Sequence, residues 1–175
     1  MTTFYKYIKV LMKISIILLL ASSCEDKIIY KMEDPIHLGW KNYRYDYSNT
    51  GYYPGDGPTQ GILVDTINIG YSSELSSPII DDDGNIYITN ADGLAYKIDS
   101  SLTIVWTKDL NVSIDISCAT IIDSIVIWPT NDGELVGLST LDGTLMWSLD
   151  LDDDIWNPPI IHDELKFGIV TTRNG

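Results

Sequence analysis

Histidine, cysteine and positive charge are scarce in this chain. Its 175 residues hold two His, two Cys and 11 Lys and Arg, against 25 Asp and Glu. Two cysteines, Cys24 and Cys118, permit at most one bridge, which excludes a fold stapled by several disulfides. The histidines, His37 and His162, lie far apart, so no His pair has metal-ligand spacing. No glycine-rich loop opens a helix and no nucleophile elbow occurs, which removes the usual signatures of nucleotide-binding loops and serine hydrolases. The first 23 residues contain three lysines and no acid, leaving 8 of the 11 basic residues against all 25 acidic ones in the remainder. A body of that sign is repelled by phosphate backbones, so nucleic acid is not an expected partner. A membrane-spanning helix is missing too. The apolar run Ile14–Ala21 is too short to cross a hydrocarbon core of ~30 Å.

That short run serves another purpose. A basic head (Lys6, Lys9, Lys13), an apolar stretch and the small residues Ser22 and Ser23 read as a secretory signal over residues 1–23. "LASSC", ending at Cys24, resembles the lipobox of bacterial lipoproteins, with Leu20 one place farther from the cysteine than usual. The resemblance implies a diacylated Cys24 as the new N-terminus, a lipid-anchored linker over 24–39, and attachment to the membrane without a spanning helix. It also implies the bacterial cell envelope, as an outer-membrane lipoprotein that is periplasmic or surface-exposed. Glu25 and Asp26 follow at once, as in some lipoproteins exported to the surface. Cys118, in the apolar run "DISCATII" with no His near it in sequence, reads as a small packing residue rather than a nucleophile.

Beyond Pro58 the chain is a series of short β-branched and aromatic runs bounded by Gly, Asp, Asn and Ser, the pattern of strands joined by tight turns. The pattern repeats. "NADGLAYKIDSSLTIVW" (90–106) returns as "NDGELVGLSTLDGTLMW" (131–147), with Trp106 and Trp147 41 residues apart. The first unit predicts strands at Pro78–Ile80, Ile86–Thr89, Leu94–Ile98 and Ile104–Lys108. The second predicts Ala119–Ile122, Ile125–Thr130, Glu134–Ser139 and Thr144–Leu149, with a one-residue insertion in its last turn. A third unit opens at "NPPIIHDELKFGIVTTRNG". Four-stranded units repeating near forty residues predict an all-β fold, a β-propeller of antiparallel blades at about 77–110, 117–151 and 158–175. Two of these are full and the third is partial. A closed ring needs at least four blades and commonly six to eight, roughly 300 residues here, so the expectation is an N-terminal fragment. "GILVDTINIG" (61–70) reads as a lone outer strand ahead of the first full blade.

Two stretches carry a family resemblance. "GLSTLDGTLMW" (137–147) resembles the quinoprotein-type (PQQ-like) repeat at Leu138, Gly143 and Trp147, with Ser139 where Asp is usual and Thr144 where Lys is usual. "WKNYRYDYSNTGYYPGDGP" (40–58) resembles the segment that opens many such propellers, at Trp40, Asp46, Thr50, Gly51 and Pro54. The resemblance covers residues 40–175. Trp106 and Trp147 are then expected to be structural, each filling the gap between its blade and the next. Trp128 and Trp156 stand outside that pattern, and Trp156 in an inter-blade connection is a candidate rim contact.

Chemistry is thinner. "DDDGN" (81–85) lacks the full ligand ladder of a calcium loop and reads as a hairpin turn, and "DLDDD" (150–154) reads as a solvated connection. No catalytic, cofactor-binding or metal-ligating residue is assigned. Quinone dehydrogenases of this family commonly carry a vicinal cysteine pair, which is missing here. The leading expectation is a noncatalytic, lipid-anchored propeller that acts as a protein-interaction scaffold. It resembles the BamB-like lipoproteins of the outer-membrane barrel assembly machinery. The alternative partner is a polysaccharide, bound by a surface glycan-binding lipoprotein. A propeller enzyme ranks third.

Overall fold

Tight Asp- and Gly-containing turns cut the chain into ten strands among the described residues of a computed structural model. These residues are 39–46, 49–53, 59–71, 76–112, 114, 118–162 and 167–174. Cys24, the leader, the linker up to residue 38 and Pro54 lie outside them. Strands β1 (Ile79–Ile80), β2 (Ile86–Thr89), β3 (Leu94–Ile98) and β4 (Ile104–Asp109) form one sheet in sequential order. Strands β5 (Thr120–Ile122), β6 (Ile125–Pro129), β7 (Glu134–Ser139) and β8 (Leu145–Asp150) form a second. A third sheet pairs β9 (Ile160–His162) with β10 (Phe167–Ile169). Every pairing is antiparallel. The chain is an incomplete β-propeller, with two whole blades and the start of a third.

The turns show why sequence and structure agree. In blade 1, Asn90 Oδ1 accepts the Asp92 and Leu94 N–H groups at 3.1 and 2.9 Å, closing the β2–β3 hairpin. In blade 2 the Thr130 hydroxyl oxygen takes the same role, accepting Glu134 N–H at 2.9 Å. The glycines that follow, Gly93 and Gly133, have φ of 81° and 92°. Their carbonyls accept Leu110 N–H (3.1 Å) and Leu151 N–H (3.0 Å), so each tip is tied to the end of its own blade.

Blade 2 lies between two neighbours, and its side chains divide accordingly. Strand side chains alternate between faces. Val126 and Trp128 join Tyr87, Ala95 and Trp106 of blade 1 in one buried cluster. Ile127 and Leu135 join Ile155 and Ile161 of the third unit in another. This is why β6 and β7 are buried almost throughout instead of alternating.

A strap from Gly39 to Tyr53 links the first strands of both blades. The Trp40 carbonyl accepts Ile80 N–H at 2.8 Å, and the Lys41 carbonyl accepts Ile121 N–H at 3.0 Å. Within the strap, Asp46 accepts Thr50 N–H (2.9 Å) and the Thr50 hydroxyl (2.7 Å), and Tyr45 meets Trp40 and Tyr53 edge-on.

The segment 61–69 falls in the run that the sequence reads as a lone outer strand. It forms no ladder, and Ile62, Leu63 and Val64 are 66%, 78% and 92% exposed. Its apolar pattern supplies strand propensity, but no edge among the described residues pairs with it. Its far end is held to blade 1, where Ile69 O accepts Asn90 Nδ2 (2.9 Å) and the Tyr96 hydroxyl (3.3 Å).

Candidate functional site

Trp106 joins blade 1 to blade 2. It is 8% exposed, and its ring stands where a side chain on Gly143 would have to go, with an added Cβ 2.9 Å from a ring carbon. Its Nε1–H donates to the Thr140 carbonyl at 3.3 Å, and Trp128 and Tyr87 approach the ring at centroid distances of 6.2 and 6.0 Å. The same carbonyl accepts Lys97 Nζ at 2.9 Å, so one backbone oxygen of blade 2 takes two donors from blade 1.

The turn that presents Thr140 and Gly143 is set by Asp142, whose carboxylate accepts the Thr144 hydroxyl (2.8 Å) and N–H (3.1 Å). These hydrogen bonds, the hydroxyl first, hold the Asp142 carboxyl below its ordinary range. Asp99 is lowered in the same way in blade 1, by the Ser101 hydroxyl first. Beneath Trp106, burial and then the Asp81 charge push the Tyr87 phenol well above its usual range, so it stays a neutral donor to Asp81 at 3.0 Å.

Trp147 occupies the corresponding place in blade 2. It is 37% exposed and lies over Gly137 of its own blade. The turn that would receive it is not among the described residues. The two tryptophans therefore do not converge; each belongs to its own blade.

The outer rim has a feature that composition does not show. Register shifts between Lys97 and Ile98, where the partners jump from Trp106 to Ile104. It shifts again between Gly137 and Leu138, where they jump from Trp147 to Leu145. Val105 and Met146 are thus the extra residues of two equivalent β-bulges on edge strands. Ile104 and Val105 at the first bulge are 42% and 48% exposed, and Leu145 and Met146 at the second are 55% and 56% exposed, on a strand exposed along its whole length. Edge bulges discourage strand-on-strand addition, so this rim offers apolar side chains rather than a free ladder.

The remaining candidates are structural in their contacts. Asp81 accepts the N–H groups of Asp83 and Asn85 at 3.0 and 2.8 Å, and Lys41 pairs with Asp82. Cys118 is 2% exposed, and its Sγ accepts Ser77 N–H at 3.2 Å. Trp156 is 45% exposed with the Arg173 guanidinium 5.0 Å from its ring centroid. Among the described residues no group of three or more His, Cys, Asp or Glu converges to hold a metal. Trp128 and Lys97 were the contributors that sequence spacing did not single out. Trp128 breaks the repeat because it fills the interface from the side opposite Trp106.

Structural comparison finds the same arrangement in much larger molecules. The quinohemoprotein alcohol dehydrogenase from Comamonas testosteroni superposes with a TM-score of 0.58 at 16% identity, over 79% of this chain and 24% of that one. A europium-containing methanol dehydrogenase gives 0.64 at 16% identity, over 78% of this chain and 28% of that one. The fold is that of a PQQ-repeat β-propeller. BamB from Moraxella catarrhalis shares it, at a TM-score of 0.52 and 20% identity, over 66% of this chain and 34% of that one. This chain thus spans about a quarter to a third of the length of these propellers. No protein-family model matches the sequence, and no curated protein matches it significantly. Because the set mixes dehydrogenases with BamB, the propeller fold does not select a chemistry.

Proposed function

We propose that the chain belongs to a noncatalytic, lipid-anchored propeller whose outer rim docks a protein partner in the bacterial cell envelope. The observation that carries this reading is the repeated apolar bulge. Ile104–Val105 and Leu145–Met146 sit at equivalent places on successive blades, and all four are exposed. A partner reading both blades at once gains two separated apolar anchors on a rigid frame, the arrangement in which a few buried side chains supply most binding energy. The fold shared with BamB supports the same reading. Introducing Val105→Glu and Met146→Glu together is expected to remove a partner that copurifies with the wild type from mild detergent extracts, with the melting temperature within about 2 °C. Retention of that partner by the doubly charged variant contradicts the proposal.

Anchoring rests on Cys24. Cells fed an alkynyl fatty acid are expected to label the wild type and not Cys24→Ala, which accumulates as unprocessed precursor, with Cys118 unlabelled throughout. Label persisting in Cys24→Ala contradicts the anchor.

The noncatalytic reading has its own check. Titrating pyrroloquinoline quinone with calcium into residues 25–175 is expected to give no saturable change in quinone absorbance or heat. Stoichiometric binding would return the chain to the dehydrogenase class.

A further inference from the structure

The strap and the third unit enclose a cleft of about 330 Å³ between Asn42, Tyr43 and Asn49 on one side and Asn157–Ile161, Ile169 and Thr171 on the other. That volume is at the lower end of small-ligand sites, typically ~300–1,000 Å³. Two features of its wall point to a ligand. Asn42 is 6% exposed, and its side-chain oxygen is buried with no hydrogen-bond donor reaching it among the described residues. Leaving such an acceptor unpaired is costly, and native structures do so where something else supplies the donor.

The second feature is chemical. The described lining carries three side-chain amides, a phenol and a hydroxyl, but no charged side chain. None of these described lining residues supplies a charge to fix a phosphate, a carboxylate or a cation. Amides and hydroxyls donate and accept at adjacent positions, which suits vicinal hydroxyl groups. Pro158, Pro159 and the 40%-exposed Tyr43 supply the apolar surface against which a sugar ring lays its C–H face. Asn157 Nδ2 makes a long contact with Thr171 Oγ1 at 3.4 Å across the cleft wall, and the side chain is exposed.

We infer that this cleft binds an uncharged saccharide of one or two rings, the Asn42 side chain shifting to present its Oδ1 to a sugar hydroxyl. The site is separate from the rim bulges of β4 and β8, so its success or failure leaves the protein-docking proposal standing on its own test.

The experiment is saturation-transfer NMR on the purified full chain with cellobiose, maltose and N,N′-diacetylchitobiose, beside glucuronate and a proline-rich peptide. At least one neutral disaccharide is expected to show saturable transfer, with the glucuronate and peptide signals at background. Tyr43→Ala and Asn157→Ala are expected to weaken that binding at least about tenfold without changing the melting temperature, since both side chains are exposed. Asn42→Leu is the sharpest variant. It removes an unpaired buried acceptor, so it is expected to abolish binding while leaving the melting temperature level or higher, whereas a purely structural Asn42 would lower it. Absence of transfer from all three sugars, stronger binding of glucuronate or the peptide, or sugar binding unaltered by the cleft variants each overturns the inference.

Discussion

Trp106→Ala is expected to cost about 3–5 kcal/mol of stability, and Trp147→Ala less than about 2 kcal/mol. The two residues occupy the same place in consecutive repeats, so composition and strand propensity cancel in the comparison. The difference lies in what each ring touches. Trp106 is buried against Trp128, Tyr87 and the Gly143 turn, and it donates to the Thr140 carbonyl. Its removal opens a cavity in the main buried cluster and leaves that carbonyl with Lys97 as its remaining donor. Trp147 is 37% exposed, so much of its surface is already in water. Urea unfolding followed by far-ultraviolet circular dichroism reads the two midpoints directly. Equal losses would mean that Trp106 does not hold blade 1 to blade 2.

Gly133→Ala is expected to cost about 3 kcal/mol or more, and Gly93→Ala at least as much, although each adds only a methyl group. At Gly133, φ is 92°, and a Cβ would lie 2.5 Å from the Asp153 carbonyl oxygen. At Gly93 an added Cβ would fall closer still to the Val112 carbonyl oxygen. Backbone atoms cannot swing aside as the end of a side chain can, so the hairpin tip must move off the strand end it is tied to. Gly51→Ala separates the two contributions. It shares a positive φ of 66° but has open space around it, so it should lose only the conformational part, roughly 1–2 kcal/mol. A Gly133→Ala midpoint no lower than that of Gly51→Ala would show that the tip-to-strand contact is not tight.

The inner strands were legible because turn residues punctuate them sharply. Ile86–Thr89, Leu94–Ile98 and Glu134–Ser139 begin and end where the alternation and the Asn, Asp and Gly residues place them. The outer strand of blade 2 starts one residue later than its pattern suggests, because Asp142 holds Thr144 in the turn. The bulges at Val105 and Met146 were not legible. They are a matter of backbone register between strands, and a bulged valine has the same composition as a paired one. Nor does apolar alternation reveal whether a strand has a partner, as the unpaired segment 61–69 shows. The cleft was invisible for a simpler reason, since it joins residues 42–49 to residues 157–171.

The rim is tested most directly by photo-crosslinking in living cells, with a photoreactive amino acid placed in turn at Val105, Met146 and Asp83. Asp83 is exposed in the β1–β2 turn, off the two bulged strands, and serves as the control. The account predicts one protein adduct of the same identity and mass at Val105 and Met146, and none at Asp83. No adduct at either bulge, or an equal adduct at all three positions, would contradict it.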